Sequence, residues 1–228
     1  MEGLAAQVTA CRRCPRLVAW REEAARVKRA AFRAEEYWGR PVPGFGDPEA
    51  RLMVLGLAPA AHGANRTGRM FTGDGPQGAG DFLMAALHRA GLASLPHSER
   101  RDDGLSLRGV YLSAVVRCAP PANRPTREEL ENCLPFLMEE LRLLAKLKAV
   151  LALGRIAFSG YLAALERMGM SLPRPRPRFS HGAVYTFGKE APALIASYHP
   201  SRQNTQTGRL TPEMFDSALE RARTIAGL

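Results

Sequence analysis

Cysteine and lysine are both scarce in this chain. Its 228 residues hold four cysteines, at Cys11, Cys14, Cys118 and Cys133. In a cytosolic chain paired disulfides are uncommon, and a C-x-x-C more often binds metal or does redox work. Lysine occurs only at Lys28, Lys146, Lys148 and Lys189, so arginine carries nearly all of a net charge of +10. No run of about 18 apolar residues occurs, which excludes a membrane-spanning helix. No apolar h-region follows Arg12, Arg13 and Arg16, so no secretory signal is expected and a cytoplasmic location is. No internal repeat or low-complexity tail is present, which removes solenoids and extended disordered arms.

What remains is an ordinary globular composition with an unusual charge. An apolar fraction of 46% supplies a full core, and the length fits a single domain over residues 1–228. Arginine forks match phosphate oxygens, so a polyanion partner is expected; the competing explanation is genome composition or a thermophilic habit. The four cysteines make one set for a tetrahedral zinc or an iron–sulfur cluster. Cys11-Arg12-Arg13-Cys14 is a tight pair, whereas Cys118 and Cys133 are far apart in sequence. Zinc usually takes two tight pairs. The wide second pair leans toward a [4Fe–4S] cluster, although the spacing alone leaves zinc, a redox dithiol and unconnected core thiols open.

Hydrophobic patterning gives alternating strands and helices. Leu52–Leu55, Val110–Val116, Val150–Leu153 and Leu194–Tyr198 are short apolar runs of the kind found in strands covered on both faces. Between them, Asp81–Ala90, Arg127–Leu147 and Ile156–Met168 read as helices, with Pro212–Ile225 as the last. Thr126 to Glu129 forms a capping box ahead of a leucine stripe that includes Cys133. A further helix is expected from Pro15 to about Trp38, with Leu17, Trp20, Ala24, Val27 and Ala31 on one side. The order predicts an α/β protein: a three-layer α/β/α sandwich around a mostly parallel four-stranded sheet, with Ala183–Phe187 as an optional edge strand.

Ligands bind such sheets at the carboxyl ends of the strands. Here those ends read Gly56-Leu57-Ala58-Pro59-Ala60-Ala61-His62-Gly63, continuing into Thr67-Gly68-Arg69-Met70-Phe71-Thr72-Gly73-Asp74, then Arg117-Cys118-Ala119-Pro120-Pro121-Ala122-Asn123-Arg124, then His199-Pro200-Ser201. These segments, in this order and with the four cysteines, resemble the uracil-DNA glycosylase superfamily, and most closely its iron–sulfur family 5, the UDGb-type enzymes of thermophiles. The resemblance runs from residue 11 to about residue 210. It implies the same sandwich fold, a [4Fe–4S] cluster on Cys11, Cys14, Cys118 and Cys133 with zinc as the less expected occupant, and excision of uracil from DNA in base excision repair. It also implies acceptance of other deaminated bases such as hypoxanthine and xanthine.

The chemistry assigns roles to particular residues. A base in a duplex must be flipped out to be reached. Phe71 offers a ring to stack on, and backbone N–H groups from Gly56 to Ala60, Ala58 among them, offer donors to the oxygens of the base. His199 is the expected donor to O2 of the leaving base. Asp74 is expected to orient or deprotonate the attacking water or to stabilise the oxocarbenium-like sugar. His62 and Asn123 are candidate pocket residues, Asn123 because Ala114 stands where many relatives carry an asparagine. Loss of that amide should relax discrimination. Arg66, Arg69 and Arg124 are expected at phosphates. The resemblance also implies that the loop of Ser201, Arg202, Gln203 and Asn204 enters the minor groove, as it does in related enzymes, here as a polar plug. The expected partner is double- or single-stranded DNA containing deaminated bases, bound by a monomer. The competing reading is a non-catalytic nucleic-acid-binding protein with a structural zinc.

Overall fold

A computed structural model describes every residue except Asp74, Pro76, Gln77, Lys189 and Glu190. Helices α1 (Glu2–Ala10) and α2 (Pro15–Val27) precede strands β1 (Phe45–Gly46) and β2 (Leu52–Gly56). Short α3 (Ala64–Thr67) and α4 (Ala79–Arg89) lead to β3 (Val110–Ala114), and α5 (Arg127–Leu143) leads to β4 (Ala149–Leu153). After α6 (Arg155–Arg167) come β5 (Val184–Tyr185), β6 (Ala193–Ser197), the short α7 (Arg202–Gln206) and α8 (Pro212–Ala226).

Strands β3, β2, β4 and β6 lie side by side in that order, all parallel, and every residue in them is buried. Their side chains alternate between two cores. Leu52, Val54, Leu112, Leu151 and Ile195 meet α4 and α8, while Met53, Leu55, Val150 and Leu194 meet α5 and α6. Each fully buried aliphatic side chain contributes roughly 1.5–3 kcal/mol, so a one-residue slip of register would be costly. The three layers follow from this alternation. The sheet has six strands rather than the four expected, because two-residue strands β1 and β5 add antiparallel edges. Segments this short carry no readable period, although β5 falls within the anticipated 183–187 edge.

The N-terminal region departs further from expectation. Helix α1 has no counterpart in the sequence reading. Helix α2 begins as expected, with Cys14 as its cap and Pro15 in the first position, but stops at Val27. Lys28 adopts a left-handed φ of 57° and a 3₁₀ turn follows at Ala30–Phe32. The chain then folds back, with Trp38 N–H donating to the Arg66 carbonyl at 2.8 Å and Gly39 N–H to that of Asn65 at 3.0 Å. Those long-range bonds override the local helical spacing. Trp20 and Val27, expected on one side of the helix with Leu17 and Ala24, are 40% and 59% exposed, whereas Leu17 and Ala24 are buried.

The chain leaves β2 toward β3 on one side and later adds β4 on the other. That reversal opens a crevice at the carboxyl ends of the strands, as doubly wound sheets do. No helix among the described residues is long and apolar enough to cross a membrane.

Candidate active site

A cavity of about 610 Å³ occupies that crevice. The loop after β2, the end of β3 and the loop after β6 all contribute to it, and so do Phe71, His199, Asn123 and His62. Residues from three segments far apart in sequence, His62 with Phe71, Asn123 and His199, therefore share one hollow.

Phe71 has a φ of 53°, a left-handed conformation that is costly for a bulky residue and is kept where surrounding contacts enforce it. Its ring lies against Gly56 at the end of β2. A Cβ added at Gly56 would stand 2.7 Å from Phe71 Cζ, so only glycine allows this approach. The loop is pinned by arginines. Arg69 Nη2 donates to both Asp103 oxygens at 2.6 Å and to Ser98 Oγ at 2.8 Å, and its Nε donates to Thr72 Oγ1 at 3.1 Å. Burial raises the Asp103 carboxyl, but Arg69 and the N–H groups of Leu105 and Arg100 outweigh it and hold the pKa at about 2. Arg66 pairs with Glu35, donates to the carbonyls of His62 (3.0 Å) and Gly73 (2.9 Å), and lies over the Phe32 ring.

Arg66 and Arg69 are thus buried staples, 7% and 4% exposed, not the phosphate contacts expected of them. A guanidinium engaged on every nitrogen by its own protein has little to offer DNA. Asp74 lies outside the described residues. Its neighbour Gly73 is held on both sides, by Arg66 at its carbonyl and through its own N–H to the Ser98 carbonyl at 2.8 Å.

His199 follows β6 directly. Its carbonyl accepts the Ser201 N–H and Asn204 Nδ2, each at 2.8 Å, and Ser201 Oγ caps α7. Asn204 therefore holds the histidine loop from within, whereas Arg202 and Gln203 are exposed. Arg202 and Ser201 also line the cavity. Burial pushes the His199 imidazole down to a pKa of about 4, so it is neutral at neutral pH. His62 Nδ1 meets Tyr37 Oη at 3.2 Å, and burial, then Arg29 and Arg66, lowers its pKa.

Ala122 and Asn123 both take left-handed φ values, 50° and 55°, which turns Asn123 into the cavity mouth. Arg124 beside it is exposed. Ala58 and Ala114 form apolar wall, and among the described residues no acceptor takes the N–H of Ala58 or Ala60. Gly56 sits behind Phe71 and does not itself line the cavity. Sequence reading missed Trp20, Arg29 and Phe32, which form the rim opposite. The helix expected to run on to about Trp38 hid the last two, because it carried Arg29 and Phe32 along one helix rather than into the turn after Val27.

The four cysteines line a second, smaller hollow with Arg21, Arg117 and Asn132. Cys11 and Cys14 sit in the turn between α1 and α2, Cys118 follows β3, and Cys133 is on α5. Burial pushes the Cys118 thiol up to about 11 and that of Cys133 to about 12, so only a bound cation would make them thiolates at neutral pH. No three His, Cys, Asp or Glu side chains among the described residues come together as one metal ion requires. Zinc, with sulfur at about 2.3 Å, is not supported by that spread. Guanidinium donors left unpaired beside the thiols fit an anionic, sulfide-rich group.

The family model described as "Uracil DNA glycosylase superfamily" matches residues 43–223. A "Type-5 uracil-DNA glycosylase" of Thermus thermophilus is 56% identical over 229 aligned positions, covering 100% of this chain and 99% of the relative. One from Mycobacterium leprae is 52% identical over 226 positions, covering 99% and 95%. A "Type-4 uracil-DNA glycosylase" of Pyrobaculum aerophilum is 33% identical over 167 positions, covering 73% and 74%.

Proposed function

The chain belongs to the uracil DNA glycosylase superfamily, grouping with its type-5 enzymes, and on that footing we propose that it hydrolyses the N-glycosidic bond of deoxyuridine in DNA. The products are free uracil and an abasic site, the first step of base excision repair. It acts as a monofunctional, monomeric, cytoplasmic glycosylase built as a single domain.

The flipped nucleotide enters the cavity at the strand ends. Cavities of 300–1,000 Å³ accommodate drug-sized ligands, so about 610 Å³ takes a base with part of its sugar. The base stacks on Phe71. As the bond between C1′ and the base nitrogen breaks, its electron pair leaves with the base and negative charge gathers on the O2 oxygen. The N–H groups of Ala58 and Ala60 and the imidazole N–H of His199 are the donors available to that oxygen. Such pre-aimed donors lower the barrier because they need no reorganisation. His199 donates from a neutral ring, since its pKa of about 4 forbids a standing imidazolium at neutral pH. Water supplies the new bond to C1′. Asp74, an expectation of the sequence, accepts that water's proton or offsets the positive sugar.

Ala114 presents a methyl group where an amide could demand a matching base edge. Purines such as hypoxanthine and xanthine are therefore accepted with uracil, with Asn123 as the amide nearest the mouth. Arg124, Arg202 and Gln203 contact the DNA strand around the flipped residue, single- or double-stranded. Cys11, Cys14, Cys118 and Cys133 hold a [4Fe–4S] cluster. When bound, it cross-links the α1–α2 turn to the end of β3 and to α5, a structural service.

The observation that carries this reading is the convergence of Phe71, His199 and Asn123 on one cavity at the carboxyl ends of parallel strands. The test incubates the protein with duplexes containing uracil, hypoxanthine or xanthine and scores alkali-labile abasic sites. No release from any of the three would overturn it. Release of uracil alone would refute the broad base range and leave the glycosylase reading intact.

A further inference from the structure

Four buried side-chain nitrogen or oxygen atoms among the described residues have no hydrogen-bond partner, and three of them are Arg21 Nε, Arg117 Nε and Arg117 Nη1. Both arginines line the cysteine hollow and are only 2% and 1% exposed. Native proteins rarely leave a buried charged donor unpaired, because it has lost water and gained nothing. Two such side chains at one place point to an acceptor that the protein itself does not supply.

The donors already made there show what kind of acceptor it is. Arg21 Nη1 donates to Cys118 Sγ at 2.9 Å, and Asn132 Nδ2 reaches Cys14 Sγ at 3.6 Å. Both of these donors address sulfur, and Arg21 Nη1 and Nη2 also reach the Cys11 carbonyl at 3.3 Å. The one engaged nitrogen of the Arg117 guanidinium, Nη2, is fixed by Glu140 at 2.5 Å. Glu140 also accepts from Ser113 Oγ on β3 at 2.6 Å. Glu140 pairs with Arg117, and Glu22, 3.9 Å from Arg21 Nη2, is shared with Arg12, so Arg12, Arg13, Arg21 and Arg117 around this hollow leave positive charge in excess. A cluster of irons and sulfides bound by four thiolates is net negative and bristles with sulfur acceptors.

Resting on the reading that these cysteines bind a [4Fe–4S] cluster, we propose that Arg21 and Arg117 are its positioning donors. Their free N–H groups bond cluster or cysteine sulfurs and offset the negative charge, which sets the reduction potential of the centre and slows its loss. Hydrogen bonds and net charge at the sulfurs are established levers on such potentials. Adding an electron makes the centre more negative, so a cationic donor favours the reduced form, and its removal moves the potential downward.

The test uses the iron-loaded protein purified without oxygen. Arg21→Met removes the donor without stranding a buried acid. Arg117→Met paired with Glu140→Gln does the same at the second position. Arg21→Lys retains charge without the fork and serves if Arg21→Met does not fold. Voltammetry of the one-electron couple should show a tenfold shift in its equilibrium toward the oxidised state in Arg21→Met, about 59 mV more negative. Arg21→Lys should shift less. Bleaching of the visible band in a chelator should quicken about tenfold in Arg21→Met and in the paired variant. Wild-type potential and bleaching rates in fully loaded variants would overturn the inference alone. A wild-type protein that carries no iron would remove the cluster reading and this inference together.

Discussion

Gly56→Ala is the sharpest probe of the cavity. The added methyl would lie 2.7 Å from Phe71 Cζ and 3.5 Å from both Cε atoms, against an ordinary contact of at least 3.4 Å. The ring must therefore retreat by about 0.7 Å or tilt, since β2 is locked between β3 and β4 and cannot yield. Alanine is otherwise comfortable in a strand, so the damage should concentrate on the ring. Misplacement of a bound group by about 1 Å can cost roughly a hundredfold in rate, about 2.7 kcal/mol of barrier. Overpacking should lower stability by about 1–3 kcal/mol. Single-turnover release of uracil from a short duplex, at saturating enzyme, reads the first effect, and thermal melting reads the second. A double-mutant cycle isolates the mechanism: in a Phe71→Ala background the methyl meets no ring, so Gly56→Ala should add almost nothing. A wild-type rate in Gly56→Ala, or full additivity with Phe71→Ala, would refute the stacking role of Phe71.

Three further outcomes are expected. His199 has a native pKa of about 4, below its ordinary 6.5, so the unfolded chain binds a proton between those values that the native protein does not. Stability from this residue should thus be complete above pH 6.5 and decline as pH falls toward 4, with base release flat across that range; a rate that instead falls as pH rises through about 6.5, in a step that vanishes in His199→Asn, would show that the charged ring is the working form. Arg66→Met should strand the His62 and Gly73 carbonyls, cost about 2–4 kcal/mol and lower the melting temperature by roughly 5–15 °C. It should leave the salt dependence of DNA binding unchanged, whereas Arg124→Ala should reduce that slope by about 0.9; a reduced slope for Arg66→Met would restore Arg66 as a phosphate contact. Ala114→Asn should raise the ratio of uracil to hypoxanthine release at least tenfold in side-by-side single-turnover assays, and an unchanged ratio would mean that the end of β3 does not read the base edge.

The sequence by itself determined the class of the sheet, its four inner strands, the cysteine set and the residues at the strand ends. Apolar runs, caps and motif spacings are local quantities, and a strand buried on both faces has little choice of partner. Only the tertiary structure decided what the arginines do. Arg66 and Arg69 look identical on paper to Arg124 and Arg202, yet the first two are buried against Glu35 and Asp103 from distant segments and against nearby carbonyls, and the others are exposed. It also decided that α2 ends at Val27 and turns Trp20 outward, because the bonds of Trp38 and Gly39 to the α3 segment outweigh a few residues of helical spacing. A long polar side chain is neutral about its own fate: whether it staples the protein, meets DNA or waits on a cluster depends on acceptors that arrive from elsewhere in the chain, and burial enforces the choice by penalising any donor left unpaired.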